Sequence, residues 1–174
     1  MSLPSIAFEK LRVLSYDLFE NQSLLLTSGD FSAGTYNCMT IGWGGLGCMW
    51  NRPFVMVVVR PTRYTYEFME TYPTFSVCAF PPKYDSALNL LGTLSGRDGD
   101  KITKSGLTPS SATHIAAPVF AEADLVLECR KLYWQDLDPS HFLESRIDKQ
   151  YSEKDYHRVY YGEIIAQFGS PKYL

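Results

Sequence analysis

The segment NCMTIGWGGLGCMWNRPFVMVVVRPTRYT, from Asn37 to Thr65, decides the fold of this chain. At its centre lies an unbroken apolar run from Phe54 to Val59, and its β-branched residues favour a strand that is buried on both faces. A glycine-rich stretch with two tryptophans precedes the run, and a stretch rich in arginine and hydroxyl groups follows it. Such a strand can offer main-chain amides to a flat polar ligand at one end and guanidinium groups to a phosphate at the other.

The glycines of this segment also match a misleading pattern. Gly42, Gly44 and Gly47 satisfy the G-x-G-x-x-G pattern of a dinucleotide-binding turn. That pattern requires a helix to begin at the last glycine, so that the helix N-terminus faces a pyrophosphate. Here Pro53 and the apolar run follow instead, and both favour a strand over a helix. We therefore reject a Rossmann fold and expect the glycines to let a strand bend or a ligand approach the backbone.

Length, composition and charge limit the classes of protein to consider. The 174 residues suit a single domain, 1–174, with a substantial core. Sixteen basic and nineteen acidic residues give a net charge of −3, which provides no general attraction to nucleic acid or to an anionic membrane. No apolar run approaches the ~18 residues of a membrane span, and the first residues lack the features of a secretory signal. We expect a cytoplasmic protein that binds neither nucleic acid nor membrane.

The four cysteines, Cys38, Cys48, Cys78 and Cys129, are widely spread and form no C-x-x-C pair. In a cytoplasmic chain this usage is typical of reduced, mostly buried residues. Cysteines and histidines together show no metal-ligand spacing, so no metal site is expected.

Periodicity predicts many strands and few helices. Strands are expected at residues 23–27, 36–43, 54–60, 74–80, 117–121, 124–135 and 159–168. Short helices are expected at residues 17–22, 66–70 with Thr65 as the cap, 88–94 and 100–105. The polar segment 137–155 is expected to be a loop with a helical turn near His141. Because the strands do not alternate with helices, the pattern indicates a mainly antiparallel barrel.

Four segments carry a resemblance to a known family. They read N-x-M-T-I-G-W from residue 37, R-P-T-R-Y-T from residue 60, S-G-R-D-x-D-K from residue 95 and Y-H-x5-G-E-I from residue 156. With these segments in this order, the chain resembles the flavin reductase-like FMN-binding split-barrel family, particularly its flavoredoxin-type branch. The resemblance implies a mainly β fold, a six-stranded Greek-key split β-barrel with short peripheral helices, that forms a homodimer.

The resemblance also implies a function. The expected protein is an FMN-dependent oxidoreductase that passes hydride from NADH or NADPH through FMN to an unidentified acceptor. The alternative is a non-enzymatic FMN-binding electron carrier or ligand-binding barrel without an NAD(P)H site of its own. No pyridine-nucleotide motif is visible, so the sequence leaves both open.

A phosphate dianion is best held by planar guanidinium groups, hydroxyls and free amides. Such groups are concentrated where the apolar run ends and a helix begins. The predicted phosphate-binding residues are Arg60, Thr62, Arg63 and Thr65, and Tyr64 within this cluster is a further predicted FMN contact. A solvated loop with a helix cap is the alternative, and the resemblance favours the phosphate.

The resemblance brings the loop 95–101 to the flavin as well. Ser95, Gly96 and Lys101 would contact the phosphate or the ring edge, where Lys101 could stabilise the negative charge that grows on reduction. The alternative is a charged surface loop in which Asp98 or Asp100 caps a helix.

The remaining predicted site residues belong to the ring end. The residues expected to line the isoalloxazine ring and ribityl chain are Asn37, Met39, Thr40, Ile41, Gly42 and Trp43. Plain core packing is the alternative for Trp43. By the resemblance, His157 lies near the flavin or nicotinamide and would orient the donor or relay a proton, because the pKa of a histidine is ordinarily about 6.5. A packing or surface role is the alternative for His157.

Overall fold

The computed structural model describes residues 3–174, which form antiparallel strands joined by short helices. The strands are β1 (Leu24–Asp30), β2 (Thr35–Ile41), β3 (Gly44–Met49), β4 (Arg52–Val59), β5 (Thr74–Ala79), β6 (Pro109–Ser110), β7 (Val119–Phe120), β8 (Leu125–Asp136) and β9 (Arg158–Gly169). The α-helices are α1 (Ser15–Glu20), α2 (Tyr64–Thr71), α3 (Asp85–Thr93), α4 (Lys101–Ser105) and α5 (Ser145–Asp148). Single 3₁₀ turns occur at Phe8–Lys10, Pro82–Tyr84, Gly96–Asp98, Pro139–His141 and Pro171–Tyr173.

Seven strands form one sheet in the order β2-β1-β5-β8-β9-β4-β3. Every neighbouring pair is antiparallel, and β6 and β7 pair separately. The mainly β class with short peripheral helices is thus confirmed. The sheet has seven strands rather than the six expected, because the glycine-rich segment forms a strand of its own, β3.

Strands β3 and β4 form a tight hairpin at one edge of the sheet. Its register joins Met49 to Arg52, so Trp50 and Asn51 make the turn, with φ values of 54° and 58°. Positive φ at both positions is the type I′ geometry, which follows the twist of the flanking strands. No helix begins at Gly47, which confirms the rejection of a Rossmann turn. The left-handed conformation of Trp50 is unusual for a bulky side chain.

The sheet is buried on both faces near its centre. Along β1, Leu24 and Leu26 belong to one hydrophobic cluster, and Leu25 belongs to the cluster on the opposite face. Helix α3 covers the second face with Leu88 and Leu91, both fully buried. This double burial explains why β1 begins with three consecutive leucines rather than with an alternating pattern.

The first turn of α2 differs from the sequence expectation. The helix begins at Tyr64, with Arg63 in the cap position, so the prediction of Thr65 as the cap is wrong. Thr65 is instead buried inside the first turn, where its hydroxyl accepts a hydrogen bond from Asn37 at 2.8 Å. Asp100 does cap α4, since its carboxylate accepts from the Thr103 amide at 2.9 Å.

Two further features concern the described residues as a whole. The four cysteines form no disulfide, and Cys48 alone among them is exposed. Within residues 3–174, no helix has the length and apolar character that crossing a membrane requires.

Candidate functional site

Three adjoining cavities lie where β2, the end of β4, the start of α2 and the loop after α3 meet. The histidine cavity, of about 230 Å³, is lined by the predicted residues Thr40, Ile41, Gly42, Trp43, Arg60 and His157. The arginine cavity, of about 80 Å³, is lined by Thr62, Arg63, Thr65 and Ser95. Met39 lines both. Asn37, Tyr64, Gly96 and Lys101 line the arginine cavity and a third, the tyrosine cavity, of about 270 Å³. The fold therefore gathers every predicted site residue into one continuous region.

Strand β2 supplies one wall of this region. Its alternation places Asn37, Met39 and Ile41 on one face, where all three are buried. Thr40 faces the other way, and its hydroxyl donates to the Leu88 carbonyl of α3 at 2.5 Å. Thr40 therefore lines the histidine cavity with a hydroxyl that is already engaged.

A glycine allows the loop after α3 to close against β2 and α2. A Cβ atom on Gly96 would lie 2.4 Å from the amide oxygen of Asn37 and 2.9 Å from the Tyr64 ring. Both distances are shorter than real contacts allow, so a larger residue would push this loop away. Gly96 thus keeps the loop 95–101 against the strand and the helix.

The arginine cavity concentrates hydrogen-bond donors. No side chain of residues 3–174 caps α2, whose first residues, Tyr64 and Thr65, line the cavity. The first amides of a helix have no intrahelical acceptor, and the helix dipole favours an anion near them. Ser95 accepts from the Arg97 amide through its hydroxyl oxygen, which leaves its own proton free to donate.

Two cations complete this donor set. The Arg63 guanidinium donates to the Gly92 carbonyl. Lys101, only 4% exposed, donates to the carbonyls of Leu91 at 2.8 Å and Leu94 at 3.1 Å. Burial lowers the pKa of Lys101 below its ordinary value. Across residues 3–174, neither Arg63 nor Lys101 forms a salt bridge. Two neighbouring cations without a carboxylate, beside an uncapped helix, fit a phosphate dianion.

Arg60 and Thr62 behave differently from Arg63. Arg60 forms a salt bridge with Asp155 at 2.7 Å and donates to the Gln150 carbonyl at 2.9 Å. The Thr62 hydroxyl lies 3.4 Å from the same carboxylate. The chain turns directly after β4, where the Arg63 amide donates to the Arg60 carbonyl at 3.0 Å. The two arginines of the R-x-x-R pattern therefore enter different cavities, and the predicted five-residue cluster is divided.

The histidine cavity has an aromatic, largely uncharged wall. The Trp43 side chain is 48% exposed, so core packing does not explain it. Its ring centroid lies 5.2 Å from that of His157, at an angle of 51°. Burial, followed by the positive charge of Arg60, lowers the pKa of His157 to about 4. The imidazole is consequently neutral near pH 7.

Several lining residues escaped the sequence prediction. Thr93 and Leu94 line the arginine cavity, and Val58 lines the histidine cavity. Thr93 and Leu94 directly precede the predicted loop 95–101, so their position in the sequence could have identified them as site residues. Tyr151, which holds His157, lies in the segment expected to be a polar loop. Among residues 137–155 only Phe142 and Tyr151 are phenylalanine, tyrosine or tryptophan, so no local signal in that segment indicated Tyr151. Among residues 3–174, no group of three or more His, Cys, Asp or Glu side chains is arranged to hold a metal ion.

The chain is similar to known proteins in family and in fold. A family model described as a flavin reductase like domain matches residues 16–166. No curated protein matches the sequence. An FMN-binding domain of a flavin reductase-like enzyme from Shewanella baltica OS155 superposes with a TM-score of 0.70 at 17% identity, covering 97% of this chain and 78% of its own.

Two further solved structures share the fold. Flavoredoxin from Methanosarcina acetivorans is 27% identical, with a TM-score of 0.65 and coverage of 88% of this chain and 70% of its own. An NADH:FAD oxidoreductase from Streptomyces globisporus C-1027, solved in complex with NAD and FAD fragments, is 18% identical. Its TM-score is 0.65, and the match covers 86% of this chain and 75% of that one.

The stability of the fold is expected to depend on pH through His157. Because its pKa falls from 6.5 to about 4 on folding, the unfolded chain binds more protons than the folded chain between these values. The free energy of unfolding should be greatest above pH 6.5 and should fall by about 2–3 kcal/mol as the pH decreases to 4. Urea unfolding at a series of pH values measures this change.

The variant His157→Gln should flatten that pH dependence, whatever its effect on absolute stability. His141→Gln is the matched control, since His141 has an 81% exposed side chain. An unaltered slope in His157→Gln would contradict the assignment.

Proposed function

This chain belongs to the flavin reductase-like domain family, and from this premise we propose that it is an oxidoreductase that binds FMN. One observation carries the proposal. A cavity with an exposed tryptophan joins, across Met39, a smaller cavity with two cations that pair with no carboxylate of residues 3–174. FMN has matching ends, a flat ring and a phosphate. Together the cavities reach the lower end of the roughly 300–1,000 Å³ that is typical of small-molecule sites.

The arginine cavity would hold the phosphate. Arg63 supplies a planar cation, the start of α2 supplies unpaired amides, and Ser95 supplies a hydroxyl proton. Lys101 donates two of its three N–H groups to backbone carbonyls, which leaves the third free to donate to a phosphate oxygen. Lys101 lines the arginine and tyrosine cavities and not the histidine cavity. We therefore assign its charge to the phosphate rather than to the ring edge.

The histidine cavity would hold the ring. Trp43 offers a broad apolar surface, and Met39 and Ile41 add aliphatic contact. The main chain at Gly42 can offer polar groups to the ring edge, since glycine has no side chain of its own to cover them. Bound FMN would accept hydride from NADH or NADPH and pass electrons to an acceptor. The protein's part is to bind, orient and shield these groups.

A carrier without its own NAD(P)H site is the second candidate. Its support is the similarity to a flavoredoxin at 27% identity. The enzyme is favoured by the similarity in fold to an NADH:FAD oxidoreductase. The two candidates share the same FMN site and differ only in whether a nicotinamide reduces the bound flavin.

We further propose that two copies of the chain associate through an aromatic face beside the β3–β4 turn. Trp50 is 55% exposed and Tyr133 is 46% exposed, with ring centroids 6.2 Å apart. Tyr161 extends the cluster, 6.5 Å from Trp50 and 5.9 Å from Tyr133. Strand β3 lies at the sheet edge, where unpaired backbone groups favour pairing with another chain. Clustered exposed aromatic side chains are typical of protein interfaces.

The proposed activity has a direct spectroscopic test. Purified protein, as isolated or after titration with FMN, should show a bound flavin absorbance band. Anaerobic addition of NADH or NADPH should bleach that band, and one nicotinamide should do so faster than the other. A bound flavin that neither nicotinamide reduces would favour the carrier. Protein that takes up no FMN would overturn both candidates.

Substitution of Arg63 tests the phosphate site. Arg63→Ala should weaken FMN binding by about ten- to a hundredfold, because a charge-assisted hydrogen bond is lost. Riboflavin, which has no phosphate, should bind as before. Lys104→Ala is the matched control, since Lys104 is exposed on α4 and lines none of the three cavities described above. Titration calorimetry with both flavins measures the effect, and equal weakening of both would show that Arg63 acts through folding.

The aromatic face is tested by Trp50→Gly. Glycine readily adopts positive φ, so the turn should persist while the ring is lost. Light scattering should give about twice the 19.7 kDa chain mass for the wild type and a single chain mass for the variant. Tyr16→Ala removes an aromatic side chain that is 78% exposed elsewhere and should leave the dimer intact. A monomeric wild type, or a dimeric Trp50→Gly, would refute the proposed face.

A further inference from the structure

We propose that Tyr151 is a positioning residue whose hydroxyl donates to Nδ1 of His157, so that Nε2–H of His157 is presented to the histidine cavity as a fixed hydrogen-bond donor. In this arrangement His157 acts as a neutral hydrogen-bond donor. The sequence had left open whether it orients the hydride donor or relays a proton. The Tyr151–His157 hydrogen bond and the resulting tautomer follow from the fold and do not depend on the proposed function. Only the identity of the ligand that accepts this hydrogen bond rests on the proposed function.

The direction of the Tyr151–His157 hydrogen bond follows from the surroundings of the phenol. Tyr151 is 2% exposed, and its hydroxyl oxygen lies 2.9 Å from Nδ1 of His157. In the described part of the chain, this hydroxyl has no other hydrogen-bond partner. A buried donor without an acceptor is unfavourable, because it has lost its hydrogen bonds to water and gained none in the protein. The phenolic proton is satisfied only if the tyrosine donates and Nδ1 accepts.

The tautomer of His157 is then determined. A neutral imidazole has one protonated nitrogen and one acceptor nitrogen. With Nδ1 as the acceptor, the proton must reside on Nε2. The two rings meet edge to face, with centroids 5.5 Å apart and planes at 81°, so the tyrosine also restricts rotation of the imidazole.

The donor nitrogen is open to the cavity. Between residues 3 and 174, Nε2 of His157 has no protein hydrogen-bond partner, and it is not among the fully buried atoms that lack one. It is therefore accessible, on a residue that is 9% exposed and that lines the histidine cavity. A ligand in this cavity meets a donor whose position Tyr151 controls.

Burial keeps His157 neutral, and the two nearby arginines add to this effect. Arg60 and Arg63 oppose protonation through their positive charge, and the Asp155 carboxylate favours it. Asp155, however, is already paired with Arg60 at 2.7 Å. With burial as the largest cause, the pKa of His157 falls to about 4. From pH 5 upward the residue donates a hydrogen bond but does not relay protons, which suits a carbonyl oxygen or an unprotonated ring nitrogen.

The experiment is nitrogen NMR of ¹⁵N-histidine-labelled wild-type protein without any ligand, from pH 5.5 to 8. The expected spectrum shows His157 with a protonated Nε2 and an unprotonated Nδ1 throughout. His141, whose side chain is 81% exposed, gives a second histidine signal in the same spectra for comparison. A proton on Nδ1, or titration of His157 above pH 6, would overturn the proposal. Because the wild type alone decides, a poorly folding variant cannot obscure the result.

Variants extend the test to the ligand. Tyr151→Phe should give mixed tautomers, and Tyr156→Phe should not, since the Tyr156 hydroxyl bonds to Asp148. For FMN binding, His157→Phe should cost about three- to tenfold, and His157→Gln, which keeps an N–H donor, should remain within about twofold. Equal losses in both would overturn the donor role. Absence of FMN binding by the wild type would overturn the proposed function, while the NMR result would still decide the tautomer.

Discussion

The hydrogen bond from the Asn37 amide to the Thr65 hydroxyl, at 2.8 Å, is the contact on which the site depends. Both residues are almost completely buried, so loss of either partner would leave an unsatisfied polar group at a cost of about 1–3 kcal/mol. The bond joins β2, which lines all three cavities, to the first turn of α2, which lines the arginine cavity. Gly96 then packs its backbone against the same asparagine. Three separate segments of the chain are thus held at fixed spacing.

The distribution of charge gives the histidine cavity and the arginine cavity different chemistry. At the histidine cavity, Asp155 neutralises Arg60, and His157 is neutral by burial. At the arginine cavity, Arg63 and Lys101 have carbonyl partners, which accept hydrogen bonds without cancelling the charge. One end can therefore accommodate an uncharged ring while the other attracts a dianion. Arg60 and Arg63 are three positions apart in the sequence, but they line different cavities because the chain turns between them.

Much of the fold could be predicted from sequence, since apolar runs such as that of β4 are strong signals. Strand β3 was missed because glycine has a low strand propensity, and only pairing with β4 makes that segment extended. The helix cap was misassigned because Thr65 has a tertiary partner in Asn37. The gathering of the site residues was anticipated through the family resemblance.

Contacts between residues that lie far apart in the sequence could not be predicted. The pairing of Arg60 with Asp155 joins residues 95 positions apart, and no local pattern encodes it. Tyr151 lies in a segment without periodicity, so nothing indicated that its hydroxyl would meet His157.

The pairing of β4 with β9 has a consequence for biosynthesis. Phe54 is a sheet neighbour of Glu163, so the wall of the histidine cavity can close only after most of the polypeptide has left the ribosome. Joining strands so distant along the chain is slow, because the intervening loop must first lose its conformational freedom. A nascent chain halted before β9 would lack His157, so the histidine cavity is completed late in synthesis, whereas every residue that lines the arginine cavity has already been made.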